Sequence, residues 1–111
     1  MLTNYDEKVR TLTINFDGEI DHHSCSELAV MADNAINRYV PQKLIFNFKN
    51  VKFMDSAGIG MIIGRYKKVM RFGGKAEMIN VGKEAKRIFN MAGLFRIIPL
   101  IDEENKQVDN I

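Results

Sequence analysis

The side chains best suited to chemistry in this sequence lie in FMDSAGIG, residues 53–60. Asp55 offers a carboxylate, Ser56 a hydroxyl, and the turn beyond them is reduced to Ala57, Gly58 and Gly60 around Ile59. A helix start is the expected setting, where backbone N–H groups point outward without partners and the dipole favours negative charge. A phosphate on Ser56 is tolerated at such an end. It adds about −1.5 to −2 charge at pH 7, and its effect falls on whatever docks there. On this reading Ala57, Gly58 and Gly60 are clearance, letting a partner's backbone or a kinase's nucleotide phosphates approach the hydroxyl. The plainer reading is that Ser and Asp are common N-caps and that Gly60 and Gly64 seat the helix on a sheet. Glycine early in a helix costs roughly 1 kcal/mol against alanine, so either reading must account for that cost.

Other chemistries fit these residues poorly. A dinucleotide site wants G-x-G-x-x-G, but Ile63 stands where the third glycine belongs and Gly64 comes one residue late. A P-loop needs Lys then Ser or Thr after its last glycine, and Arg65-Tyr66 follows instead. A nucleophile elbow needs glycine two residues before the serine, where Met54 stands. His22, His23 and Cys25 fall short of a metal-ligand spacing, and no metal or cofactor is expected. Cys25 lies on an apolar helical stripe and reads as a small core residue. Met54, Met61 and Met91 read as packing, with Phe53, Met54 and Met61 also open as partner contacts. Asp21, after DGEI, either caps the first helix or faces Asp55 across one rim.

The elements that would position these residues alternate in period. TLTINF (11–16) sets Leu12, Ile14 and Phe16 against polar neighbours, a strand with one buried face. NYDEKV before it is a weaker strand, paired through Glu7-Lys8 as a hairpin. Ser24 and Glu27 match a capping box, followed by Cys25, Leu28, Ala32, Ala35, Ile36 and Tyr39 at helical spacing; Pro41 forbids continuation. KLIFNF (43–48) is an almost unbroken apolar run, expected to be buried on both faces, with residues 49–56 as the loop beyond it. Ile59, Ile62, Ile63, Tyr66, Val69 and Met70 stripe the next helix, with Arg65, Lys67, Lys68 and Arg71 as a solvated face and Gly73-Gly74 as its end. KAEMINV (75–81) is a strand, GKEAKRIFNMAGL a helix with Ala85, Ile88, Phe89 and Ala92 inward and Gly93 at its cap. FRIIPLI is a last short strand and the polar tail one loose helix. The order predicts an α/β fold with a mixed, mainly parallel central sheet of four to five strands and about four helices. In such sheets ligands and partners meet the loops beyond the carboxyl ends of the strands, where residues 49–56 fall.

The chain's 111 residues suffice for one domain without metal or disulfide staples. A hydrophobic fraction of 46% beside 27% charged residues describes an ordinary globular protein, and a net charge of +2 is too small to argue for nucleic acid or an anionic membrane as partner, so neither is expected. One cysteine fits a reducing compartment. With neither a signal-peptide pattern nor an apolar run near the roughly 18 residues of a membrane span, a cytoplasmic, single-domain protein is expected.

Three stretches, GEIDHHSC (18–25), FMDSAGIGMIIGRYKKV (53–69) and AKRIFNMAGLFRIIPL (85–100), together resemble the STAS domain family of anti-sigma factor antagonists, nearest to those of the sporulation sigma-F pathway in endospore-forming bacteria. The likeness implies one STAS domain over residues 1–111, with 100–111 an unassigned polar tail. DSAG after a strand carries the family's phosphorylated serine, which by position is Ser56. Asp21 matches the family's loop acid after the second strand and Asp55 the acid before the phosphoserine. The resemblance further implies a switch without catalysis of its own. The unphosphorylated form binds an anti-sigma factor that is itself a serine kinase and so frees the sigma factor; phosphorylation by that kinase ends binding; a manganese-dependent serine phosphatase reverses it. A small nucleotide-binding domain and a STAS scaffold in a larger assembly are the alternatives.

Overall fold

Residues 1–102 and 106–107 are described by the computed structural model. The first two strands, β1 (Leu2–Asp6) and β2 (Thr11–Ile20), form an antiparallel hairpin with Asp6 opposite Thr11. From β2 onward the chain alternates: α1 (Cys25–Tyr39), β3 (Lys43–Met54), α2 (Ala57–Arg71), β4 (Lys75–Ile79), α3 (Lys83–Met91), a 3-10 turn at Leu94–Arg96, then β5 (Leu100–Asp102) and β6 (Lys106–Gln107). The sheet holds its strands in chain order, β1-β2-β3-β4-β5-β6. Pairs β2/β3, β3/β4 and β4/β5 are parallel, and β5/β6 is antiparallel.

Strand order equal to chain order has a consequence for layering. Each βαβ crossover is right-handed in nearly all proteins, and three successive crossovers stepping in the same direction put their helices on one face. The core agrees. Alternate residues Leu12, Ile14 and Phe16 of β2, Leu44, Phe46 and Phe48 of β3, and Ala76 and Met78 of β4 are buried in one cluster with Ala32 and Ile36 of α1, Ile62 and Val69 of α2, and Ala85 and Phe89 of α3. Aromatic contacts run through it, from Phe16 to Phe48 and from Phe48 to Phe89, each at 5.4 Å between ring centroids. Outside it, Tyr5 stacks on Tyr39 at 4.5 Å and ties the edge hairpin to the end of α1.

The opposite face corrects one expectation. Lys43, Ile45 and Asn47 are only half-buried, so residues 43–48 are not buried on both faces, because no crossover helix covers the second. That face is organised by polar side chains instead. Asn15 donates to Asn4 at 3.0 Å, Asn47 to Asn15 at 2.8 Å, and Asn80 to Asn47 at 2.9 Å, a hydrogen-bonded row from β1 to the end of β4. Lys43 and Glu77 pair beside it at 3.3 Å.

Other differences concern the strand ends. β3 continues to Met54 instead of ending at Phe48, so the loop expected over 49–56 shrinks to Asp55 and Ser56. The architecture is the mixed, mainly parallel sheet expected: among the described residues it holds six strands, the last of only two residues, with three α-helices and a 3-10 turn beside it. FRIIPLI (95–101) begins inside the 3-10 turn Leu94–Arg96, and its strand starts only after Pro99, whose carbonyl accepts from Met78 N–H at 2.9 Å. Of the tail expected to be helical (102–111), Asp102 ends β5 and Lys106–Gln107 form β6; residues 103–105 and 108–111 lie outside the described residues. The helix ends fall where expected, with Gly73 and Gly93 at φ of 79° and 70°, a backbone region that glycine enters without steric cost.

Candidate functional site

Parallel pairing brings the site together. Ile20, the last residue of β2, is registered with Met54, the last residue of β3, and Asp55 N–H donates to the Ile20 carbonyl at 3.1 Å. The residues that follow, Asp21 and Asp55, therefore emerge side by side at the carboxyl edge of the sheet. Reaching this edge takes two irregularities in the β2/β3 ladder, between Asn15 and Asp17 and between Gly18 and Glu19, with Gly18 at φ 69°.

Each aspartate holds its own turn. Asp55 Oδ1 accepts from Ala57 N–H at 2.9 Å, capping α2, while Oδ2 accepts from His22 N–H at 3.3 Å, with His22 Nδ1 3.6 Å away. Asp21 Oδ1 accepts from His23 N–H and Ser24 N–H, both at 3.0 Å. The Ser24 backbone bond is the main reason the Asp21 carboxyl lies below its ordinary value. Asp21 therefore caps the approach to α1 and faces Asp55 across the same rim, so the two readings of it combine.

The serines differ from expectation in the same way. Ser24 makes no side-chain cap to α1, so the capping box with Glu27 is not formed; its hydroxyl donates to the Glu19 carbonyl and accepts from Asp21 N–H, each at 3.0 Å. Ser56 stands at the N-cap position of α2, yet its hydroxyl makes no cap bond. It is exposed and has no intramolecular hydrogen-bond partner among the described residues. The capping that would occupy a serine here is performed by Asp55.

The small residues also divide. A Cβ on Gly58 would lie 3.0 Å from both Met54 Cγ and Met54 Sδ and 3.2 Å from Ile20 Cγ2. Gly58 is buried and lets the first turn of α2 settle on the ends of β2 and β3, while Ala57 is half-buried. Gly60 and Gly64 have nothing within 4 Å of such an atom, so they do not seat the helix. Gly60 is exposed, one turn from Ser56. Met54 and Met61 are core residues at 4% and 5% exposure, beneath the rim rather than on it, whereas Phe53 is exposed. Met91 is not packing at all, at 78% exposure. Arg65, read as part of a solvated face, instead reaches α1, its Nε 2.9 Å from Asp33 Oδ1, a contact of charges without an aligned hydrogen bond.

Cys25, half-buried below the rim, has its thiol pKa raised, first by burial and then by the negative charges of Asp55 and Asp21. His22 is the site residue that spacing did not single out. Its signal was the parallel alignment of DGEIDHH with KFMDSAG, legible only once the register is known. Among the described residues no group of His, Cys, Asp or Glu could hold a metal ion, and no helix is long and apolar enough to cross a membrane.

Comparison with known proteins agrees with this arrangement. The STAS domain profile matches residues 3–107. An anti-sigma F factor antagonist from Paenibacillus polymyxa is 38% identical over 93 residues, covering 84% of this chain and 80% of that protein. The anti-sigma factor antagonist SpoIIAA in its unphosphorylated form superposes with a TM-score of 0.74 at 27% identity, over 93% of this chain and 90% of that one. The Bacillus cell fate determinant SpoIIAA in its phosphorylated form gives 0.67 at 26% identity, over 93% and 94%. The chain belongs to the STAS domain family, among its anti-sigma factor antagonists.

Proposed function

We propose that this chain is a phosphorylation-controlled binding module whose switch is Ser56. Like its relatives it is a regulator and not an enzyme. With Ser56 free, the rim formed by Asp21, Asp55 and the start of α2 docks on an anti-sigma factor and so frees the sigma factor. That anti-sigma factor is a serine kinase bound to ATP. In the transfer, the Ser56 Oγ–phosphorus bond forms, and the bond from the γ-phosphorus to the bridging oxygen of ATP breaks. ADP leaves, and the hydroxyl proton passes to the kinase or to solvent. The dianion then repels the partner, and a manganese-dependent serine phosphatase restores the hydroxyl. The setting is the cytoplasm, and the output is control of sporulation transcription.

One observation carries the reading: the Ser56 hydroxyl is exposed and has no partner among the described residues, while Asp55 does the capping. A serine retained for its cap would hold an N–H group. This one leaves its oxygen available, and a phosphate on it displaces no hydrogen bond made by the serine side chain itself. That fits a module that keeps its shape while its affinity changes.

Incubation with ATP and the cognate kinase, followed by intact mass and fragment mapping, tests it. The parent chain gains one phosphate, on Ser56, and Ser56→Ala gains none. A phosphate elsewhere, or none, would contradict the proposal.

A further inference from the structure

We propose that Arg87 of α3 is the counter-ion for a phosphate on Ser56, and that it crosses from α3 to α2 when the phosphate arrives. This deepens the function proposed above and rests on Ser56 being the phosphorylated residue. Ser56 and Arg87 line one shallow cavity of about 430 Å³, whose remaining walls are Ile59, Ile88, Met91 and Ala92. In the unmodified chain the Arg87 guanidinium is held by Glu84 one turn back on α3, Nη2 to Oε1 at 2.9 Å, with both side chains mostly exposed. Exposed pairs of this kind are weak. A phosphate dianion across the cavity outcompetes a single carboxylate, because it carries more charge and offers oxygens that match the guanidinium fork in a bidentate pair.

The local charges favour the move. The first turn of α2 carries no acidic residue, but Asp55 sits directly before Ser56 and repels a dianion. Of the cavity's lining residues, only Arg87 is cationic. Swinging the Arg87 stem toward Ser56 lays it across the apolar walls made by Ile59, Ile88 and Met91, of which Met91 is 78% exposed. Phosphorylation would then act twice on a docking partner, adding negative charge and covering an apolar patch that is open when the serine is free.

The test installs phosphoserine at position 56 during synthesis of the full chain, so that no kinase is needed, and follows its second ionisation by phosphorus NMR. A cation within reach lowers that pKa from its ordinary value of about 6. In Arg87→Gln the expected result is a rise of about one pH unit, a tenfold change in proton affinity, with Arg87→Lys in between. Glu84 gives a second readout. Its carboxyl is held low chiefly by the Arg87 hydrogen bond, so phosphorylation should let it return toward its ordinary value. Identical phosphoserine titrations in parent and Arg87→Gln, with Glu84 unmoved, would overturn the proposal. Failure of the kinase to modify Ser56 would instead overturn the function and leave this titration untouched.

Discussion

At the scale of single residues, the Asp55 carboxylate joins two loops, taking Ala57 N–H with one oxygen and His22 N–H with the other. That leaves Ser56 nothing structural to do with its side chain, and chemistry at its hydroxyl is separated from stability. Asp21 is more exposed to pH. Its carboxyl is lowered in the fold, chiefly by the Ser24 backbone N–H. The charged form is thus the one the fold favours. Its stabilisation is complete above the unfolded value of 3.8 and is lost as pH falls through the lower folded value. Asp21→Ala should therefore melt at lower temperature than the parent at pH 7, with the gap closing as pH falls below 3.8; a constant gap across the acid range would refute this account of the turn. Cys25 supplies a reactivity check. Its thiol is raised by burial and by two neighbouring carboxylates, and the thiolate is the reactive form. Alkylation at pH 8 should be slower in the native chain than in the denatured one, and faster in native Asp55→Asn than in the native parent. Equal native rates in those two chains would remove Asp55 from the explanation.

At the scale of elements, the start of α2 is set by one glycine and left open by another. Gly58→Ala gains about 1 kcal/mol of helix propensity but forces a methyl against Met54 and Ile20 at 3.0–3.2 Å, and overpacking of this kind costs about 1–3 kcal/mol. A net loss of up to about 2 kcal/mol is expected by denaturant unfolding. Gly60→Ala meets nothing within 4 Å and should gain up to about 1 kcal/mol. If both changes proved stabilising, α2 would not be seated on Met54. Much of this scale was legible in the chain. The inward faces of α1 and α2 and the alternation of β2 follow from periodicity, which reports burial directly. What periodicity does not report is backbone pairing in water. Asn50, Val51 and Phe53 pair with β2 across two irregularities, in a stretch where Lys49, Asn50, Lys52 and Phe53 are exposed, so no apolar alternation marks it and the strand looked like loop. The caps were legible only in part. Asp21 was open as a cap of the first helix, but Ser24 and Ser56 also occupy positions that serine commonly caps, and the structure gives the N–H groups there to Asp21 and Asp55.

At the scale of the whole molecule, three crossovers on one face leave a two-layer protein whose rim lies at the carboxyl ends of β2 and β3. The resemblance read from GEIDHHSC, FMDSAGIGMIIGRYKKV and AKRIFNMAGLFRIIPL led to the STAS family, and the fold agrees. What that reading could not contain is the placement of Met54 and Gly58 under the rim and of Gly60 and Phe53 on it. A fold whose edge carries a hydroxyl with no partner among the described residues needs no change of shape to change affinity. Apposing like charges across an interface costs several kcal/mol, and each 1.4 kcal/mol is tenfold in affinity, so a phosphate on Ser56 should weaken docking by about 100-fold or more. The most direct measurement is titration calorimetry of the anti-sigma kinase proposed as its partner with the chain carrying serine or phosphoserine at position 56. Tight binding of the first and at least that loss for the second, with both chains melting alike, is the predicted result. Equal affinities would contradict a switch at Ser56.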